Sequence, residues 1–131
     1  MSMERQWEEF ENGRVVSLSE RIHVTINKRG SIYLNRRALE AIGEPERVVL
    51  LFDRRRSTIG VRPAPDDQLN AYRLGRKDKK SAGSRVIYAT NFFKQYHIKP
   101  DGTFAFTSTE VDQNGILVLE LSRLIPTRRK S

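Results

Sequence analysis

Cations spaced to hold phosphate groups recur in two clusters along this 131-residue chain. Asn27, Lys28 and Arg29 stand just before Gly30, and Arg36 and Arg37 follow where a short helix would begin. Farther on, Arg73, Arg76, Lys77, Lys79, Lys80 and Arg85 surround a longer basic loop. Guanidinium and ammonium groups so grouped neutralise a polyanion backbone, and helix amides beside Arg36 and Arg37 add partial positive charge. Arg29 and Asn27 also carry the side chains that pair with guanine and adenine edges in a major groove. The chemistry expected of the set is docking on double-stranded DNA, with RNA left open because composition does not separate the two. A third cluster, Arg54, Arg55 and Arg56, falls in a separate turn and reads as a device for solubility.

The charge is unevenly placed. The whole chain carries +8 from 24 basic and 16 acidic residues. Within residues 1–20, Arg5 and Arg14 stand against Glu4, Glu8, Glu9, Glu11 and Glu20, so this stretch is −3 and the remainder is +11. A body of that size and charge attracts polyanions. The acidic appendage has a helix-like stretch over residues 3–12, with Trp7 and Phe10 on one side; it reads as contacting a partner or folding back on the basic face.

Other chemistries find little support. The chain has no cysteine, which excludes disulfide scaffolds, thiolate metal sites and cysteine nucleophiles, and only His23 and His97 remain as imidazole ligands. Neither histidine has a visible acid–base partner, no Gly-x-Ser-x-Gly elbow occurs, and residues 75–83 lack the Gly-Lys-Ser order of a phosphate loop. Asp66 and Asp67 sit in a proline-flanked linker, where carboxylates serve solvation or capping. The chain reads as no enzyme, without cofactor or metal. No stretch approaches the roughly 18 apolar residues of a spanning helix, and the start lacks the apolar core of a secretory signal, so a cytoplasmic protein without membrane contact is expected.

The elements that position these groups follow from periodicity and turn chemistry. Residues 21–26 and 31–34 are β-rich and joined by the turn at 27–30, which predicts a hairpin. Asn35 is a helix cap, residues 36–42 put Ala38, Leu39 and Ile42 on one side, Gly43 ends the helix and Pro45 forbids its continuation. Residues 47–53 and 58–62 form a second strand pair around Arg54, Arg55 and Arg56. The order is β-β-α-β-β. It recurs as strands at 71–74 and 85–89, a helix at 91–96 capped by Thr90, and strands at 103–107 and 116–121 around an Asp-Gln-Asn-Gly turn. At a constant offset of 55, Ile32 and Tyr33 meet Ile87 and Tyr88, Pro45 meets Pro100, and Glu46 meets Asp101. The organisation expected is an acidic segment at 1–20, units at 21–63 and 70–121, a linker at 64–69, and a basic tail at 122–131. Tyr33, Tyr72, Tyr88, Phe92, Phe93, Phe104 and Phe106 are expected to pack in the core.

Gly30 before Ile32, Tyr33 and Leu34, the helix ending at Ile42-Gly43, and Pro45 before a long apolar strand give the first unit a likeness to a known pattern. It resembles the AbrB/SpoVT-like transition-state regulators, and Ile98-Lys99-Pro100-Asp101-Gly102 is similar to that family's second-unit turn. The resemblance implies a mainly β fold with short helices, a swapped-hairpin β-barrel made from two interlocking units. Here both lie in one chain, as in MraZ-type proteins, which gives a monomeric pseudo-dimer or a homo-oligomer of such chains. The function implied is a DNA-binding transcriptional regulator or an antitoxin-like protein. The sequence departs from the family at Ser31, Asn35 and Ala38-Leu39-Glu40, where arginines and a proline are usual, so contact would shift to the neighbouring Lys28, Arg29, Arg36 and Arg37. The alternative is a protein-interaction or assembly module that kept the fold without binding DNA.

Overall fold

A computed structural model describes residues 21–65, 67–76 and 83–127. The acidic segment at 1–20, Asp66, the loop cations Lys77, Lys79 and Lys80, and the terminal Arg128, Arg129 and Lys130 lie outside the described residues. The chain is mainly β. Strands β1 (Val24–Ile26) and β2 (Ser31–Leu34) lead to helix α1 (Arg36–Ala41), then β3 (Arg47–Asp53) and β4 (Thr58–Pro63). The second half runs β5 (Tyr72–Arg73), β6 (Arg85–Tyr88), α2 (Thr90–Gln95), β7 (Phe104–Phe106), β8 (Thr109–Val111), β9 (Leu117–Glu120), a one-turn 3-10 helix (Leu121–Arg123) and β10 (Leu124–Pro126).

These strands pair antiparallel in two five-stranded sheets, ordered β10-β7-β1-β2-β6 and β5-β3-β4-β9-β8. The continuous closed barrel expected from the sequence is not what forms, because regular pairing lapses at both seams. At one seam Gly75 makes a lone antiparallel bridge to Val86. At the other the chain passes from β7 in one sheet to β8 in the other through Thr107 and Ser108, and Thr107 turns its amide to the Arg123 carbonyl, 3.0 Å away. Within the first sheet the two halves meet in two ladders, β1–β7, which sets Thr25 opposite Ala105, and β2–β6, which sets Ile32 opposite Ile87. In the second sheet they meet in the β4–β9 ladder, with Ile59 opposite Leu119, and in the short β3–β5 ladder, with Val48 opposite Tyr72.

The core lies between the sheets. Alternation puts Val24 and Ile26 of β1, Ile32 and Leu34 of β2, Ile59 and Val61 of β4, and Leu117 and Leu119 of β9 fully inside. Each such side chain contributes on the order of 2 kcal/mol by leaving water. Both helices pack on the core: α1 buries Ala38 and Leu39, α2 buries Phe92 and Phe93. No described helix is long and apolar enough to cross a membrane.

Asn35 explains why α1 starts where it does. Its Oδ1 accepts from the Ala38 amide at 2.9 Å and from the His23 amide at 3.1 Å, while its Nδ2 donates to the Arg21 carbonyl at 2.6 Å. One side chain thus caps the helix and ties it to the chain entering β1. Asn35→Ala removes all three bonds, and a loss of about 2 kcal/mol is expected, a fall of roughly 6–10 °C in the thermal midpoint. A thermal melt of the single variant checks this.

The second unit lacks that device. Thr90, expected as the cap, is the first residue of α2, and Ala89 stands at the cap position with no side-chain bond. β2 and β6 begin at residues 31 and 85 and α1 and α2 at 36 and 90, so Ala89 holds before α2 the place that Asn35 holds before α1. The stretch after Leu121, expected as a basic tail, instead returns to the first sheet. Ile125 pairs with Ala105 and Thr127 donates its amide to the Thr103 carbonyl, because a Leu-Ile-Pro run meets the free edge of β7.

Candidate nucleic-acid interface

The loop carrying Lys28 and Arg29 is built by Asn27. Its Oδ1 accepts the Arg29 amide at 3.0 Å and the Ser31 amide at 3.2 Å, closing the hairpin turn from within. That acceptor is therefore occupied in shaping the loop, and the paired donor and acceptor that adenine readout needs are not both open at Asn27. Gly30 completes the turn with a φ of +85°, a conformation that costs an L side chain strain. The loop does not stand free. The Gly30 carbonyl accepts from the Ala89 amide at 2.8 Å, and the Thr90 hydroxyl donates to the Arg29 carbonyl at 2.9 Å. Lys28 and Arg29, both exposed, are thereby fixed at the start of the other half's helix.

The second basic group is arranged reciprocally. Arg36, Arg73, Arg76, Gly83 and Arg85 line one groove of about 300 Å³ at the start of α1, together with Leu39, Leu74, Glu44, Pro45 and Glu46. Gly83, whose φ is +86°, sits so close to the Arg36 stem that an added Cβ would lie 3.3 Å from the Arg36 Cγ. Arg73 is placed by its pairing with Arg47, and the next residue, Leu74, donates its amide to the Glu46 carbonyl at 3.0 Å. Each half's loop glycine thus backs on the first residue of the other half's helix: Gly30 on Thr90, Gly83 on Arg36.

The charges in this groove are partly balanced from within the chain. Glu40 bridges Arg36 at 3.0 Å and Arg37 at 3.5 Å, each about one turn earlier along α1. These pairs are exposed and worth only a few tenths of a kcal/mol, so a phosphate can displace them at small cost. The groove and the Lys28–Arg29 loop stand at opposite ends of the four-residue β2–β6 ladder, whose length is about 10 Å. Of the residues expected at the interface, Arg36, Arg73, Arg76 and Arg85 come together, Lys28 and Arg29 lie at the other end of that ladder, and Arg37 is held by Glu40 beside the groove. Lys77, Lys79 and Lys80 are outside the described residues. Arg54 lies elsewhere, stacked 5.1 Å over the Tyr96 ring.

Four residues of this region were not expected there from the sequence. Gly83 had a signal, the Gly-Ser pair at 83–84 that echoes Gly30-Ser31 ahead of an Ile-Tyr pair, obscured by two intervening residues. Tyr88 was expected in the core and is 62% exposed. Glu44 and Glu46 face the groove from the helix-to-strand turn, which strand and helix periodicity does not reveal.

A separate groove of about 570 Å³ is walled by Arg21, Ile22, His23, residues 105–109 and Ile125. Burial, with the Arg21 cation adding to it, holds His23 below its ordinary value of 6.5. The folded chain therefore takes up a proton there less readily than the unfolded chain does. Stability from this residue is complete above pH 6.5 and declines as the pH falls below it. Thermal midpoints measured from pH 7 to pH 5 are expected to drop less in His23→Gln than in the parent chain. Among the described residues no group of three His, Asp or Glu converges on a point where a metal would sit.

Comparison with known protein families, with curated proteins and with solved structures finds no match for this chain.

Proposed function

We propose that this chain is a single-chain swapped-hairpin protein of the AbrB/SpoVT-like kind that docks on double-stranded DNA as a transcriptional regulator or antitoxin-like protein. The observation that carries this reading is the reciprocal placement of two cationic sites, one from each half, at the two ends of the β2–β6 ladder. Their separation, about 10 Å along the ladder, is comparable to the width of a major groove, so both could meet phosphates that flank one groove. The strand exchange supports the architecture. β1 lies between its own partner β2 and β7 of the other half, while β5 pairs with β3 of the first half and its continuation bridges to β6.

Phosphate contact dominates in this reading, and with the Asn27 Oδ1 occupied within the turn Arg29 is the stronger candidate for base contact. The deciding test is a fluorescence-anisotropy titration of a mixed-sequence 20-bp duplex at salt concentrations from 50 to 300 mM. Binding that weakens steeply with salt supports the proposal, and no binding at 50 mM rejects it.

A second reading has one specific observation in its favour. Glu40, Glu44 and Glu46 place three carboxylates on or beside the arginine groove, which suits a protein partner with charges of both signs better than a uniform phosphate backbone. In that reading the chain is an assembly module that kept the fold without DNA binding, and the same titration gives the negative result.

A further inference from the structure

We infer that Tyr88 is a stacking contact for an unpaired nucleobase, so that the face carrying it accepts single-stranded nucleic acid. The inference rests on the nucleic-acid reading above and names a substrate class for the same surface. Tyr88 ends β6 on the side of the ladder opposite to the buried Ile87, and it is one of only three large apolar-bodied residues that stand exposed among the described residues. Its exposure is not the fraying of a loose side chain. Tyr88 sits in the ladder opposite the buried Ser31, and its ring passes so close over Gly75 that a Cβ there would lie 3.0 Å from Tyr88 Cε2. Gly75 is itself pinned by two 2.8 Å hydrogen bonds to Val86. A side chain at position 75 would push the ring away, and its absence gives the ring a fixed seat.

The surroundings of that seat decide what it would hold. On one side, Ser31 follows the turn that carries Lys28 and Arg29, and that turn is tied to Thr90, two residues beyond Tyr88. On the other side, Gly75 is followed directly by the exposed Arg76, which belongs to the arginine groove. An aromatic ring held between two sets of cations matches what an unstacked strand needs, phosphates on either flank and a π-face between. In an intact duplex the base faces are already stacked on each other and are not available to it. The two kinds of contact differ in their response to salt: cations release counterions and set the slope, whereas stacking changes affinity at constant slope.

The test uses the full chain and fluorescein-labelled single-stranded dT12, with a 12-bp duplex in parallel, titrated by anisotropy at 50 to 300 mM salt. Tyr88→Ala is expected to weaken dT12 binding roughly tenfold with the salt slope unchanged, and duplex binding less than twofold. Tyr88→Phe keeps the wild-type affinity. Lys28→Ala/Arg29→Ala is expected to reduce the slope for both ligands. Equal dT12 affinity in the parent and Tyr88→Ala chains overturns the inference while leaving the nucleic-acid reading in place. A parent chain that binds duplex but not dT12 overturns it as well, and one that binds neither at 50 mM overturns both.

Discussion

Replacing Arg36, Arg73, Arg76 and Arg85 together by alanine is expected to lower duplex affinity by two to three orders of magnitude near 0.1 M salt. The estimate comes from counterion release. Each cation that meets a phosphate contributes about 0.9 to the slope of log K against log salt, so four lost contacts flatten it by up to about 3.6. Because the slope is multiplied by the logarithm of the salt concentration, the loss is largest at low salt and fades toward 1 M. The four side chains line an open groove, with Arg73 and Arg76 exposed, and the thermal midpoint is expected to stay within a few degrees. Removing Arg54, Arg55 and Arg56 instead, where Arg54 stacks on Tyr96 away from the groove, is expected to change the slope by less than one. Anisotropy titrations of both variants decide the matter, and equal slopes for the two would show that charge acts through the net field rather than through the groove.

Gly30→Ala is expected to cost about 3 kcal/mol, near 10–15 °C in thermal midpoint, whereas Gly43→Ala costs about 1 kcal/mol. The two glycines have almost the same backbone angle, +85° and +87°. They differ in what a methyl group would meet. At Gly43 nothing lies within 4 Å, so only the left-handed strain is felt. At Gly30 the added carbon would sit 2.8 Å from the Thr90 Cα, a backbone atom at the start of α2 that cannot turn aside. The loop must then lift from Thr90 and lose the bonds from Ala89 and Thr90 that fix Lys28 and Arg29. Gly30→Ala is thus expected to weaken duplex binding in whatever fraction remains folded, while Gly43→Ala binds as the parent does. Thermal melts followed by the anisotropy titration at a temperature where both are folded separate the two effects.

How much of this was legible in the sequence varies with the range of the interaction responsible. Local rules found α1 well: Asn35 caps it, Ala38 and Leu39 are buried, and Gly43 takes its left-handed turn after it. The same rules misplaced the start of α2, since Thr90 has the chemistry of a cap but spends its hydroxyl on the Arg29 carbonyl, a partner 61 residues away. Leu124–Pro126 looked like tail because three residues carry no period, and its strand character comes from the free edge of β7. Composition alone located the cations, but only the fold shows that four arginines share a groove and that Asn27 uses its acceptor at home. Tyr88 shows the limit of periodicity. It alternates with Ile87 as a strand residue should, yet whether its face of the sheet is covered depends on neighbours that the alternation does not specify.

The central claim is that the two halves present their cations as one surface across the β2–β6 ladder. The most direct measurement is an amide chemical-shift footprint of the isotope-labelled chain as a 12-bp duplex is added. The account predicts shifts at Lys28 to Ser31, Arg36, Arg73 to Arg76, Gly83 to Arg85 and Thr90, saturating together, with Arg54 to Arg56 unmoved. Shifts confined to the Arg54 to Arg56 turn, or none at all at low salt, would contradict it.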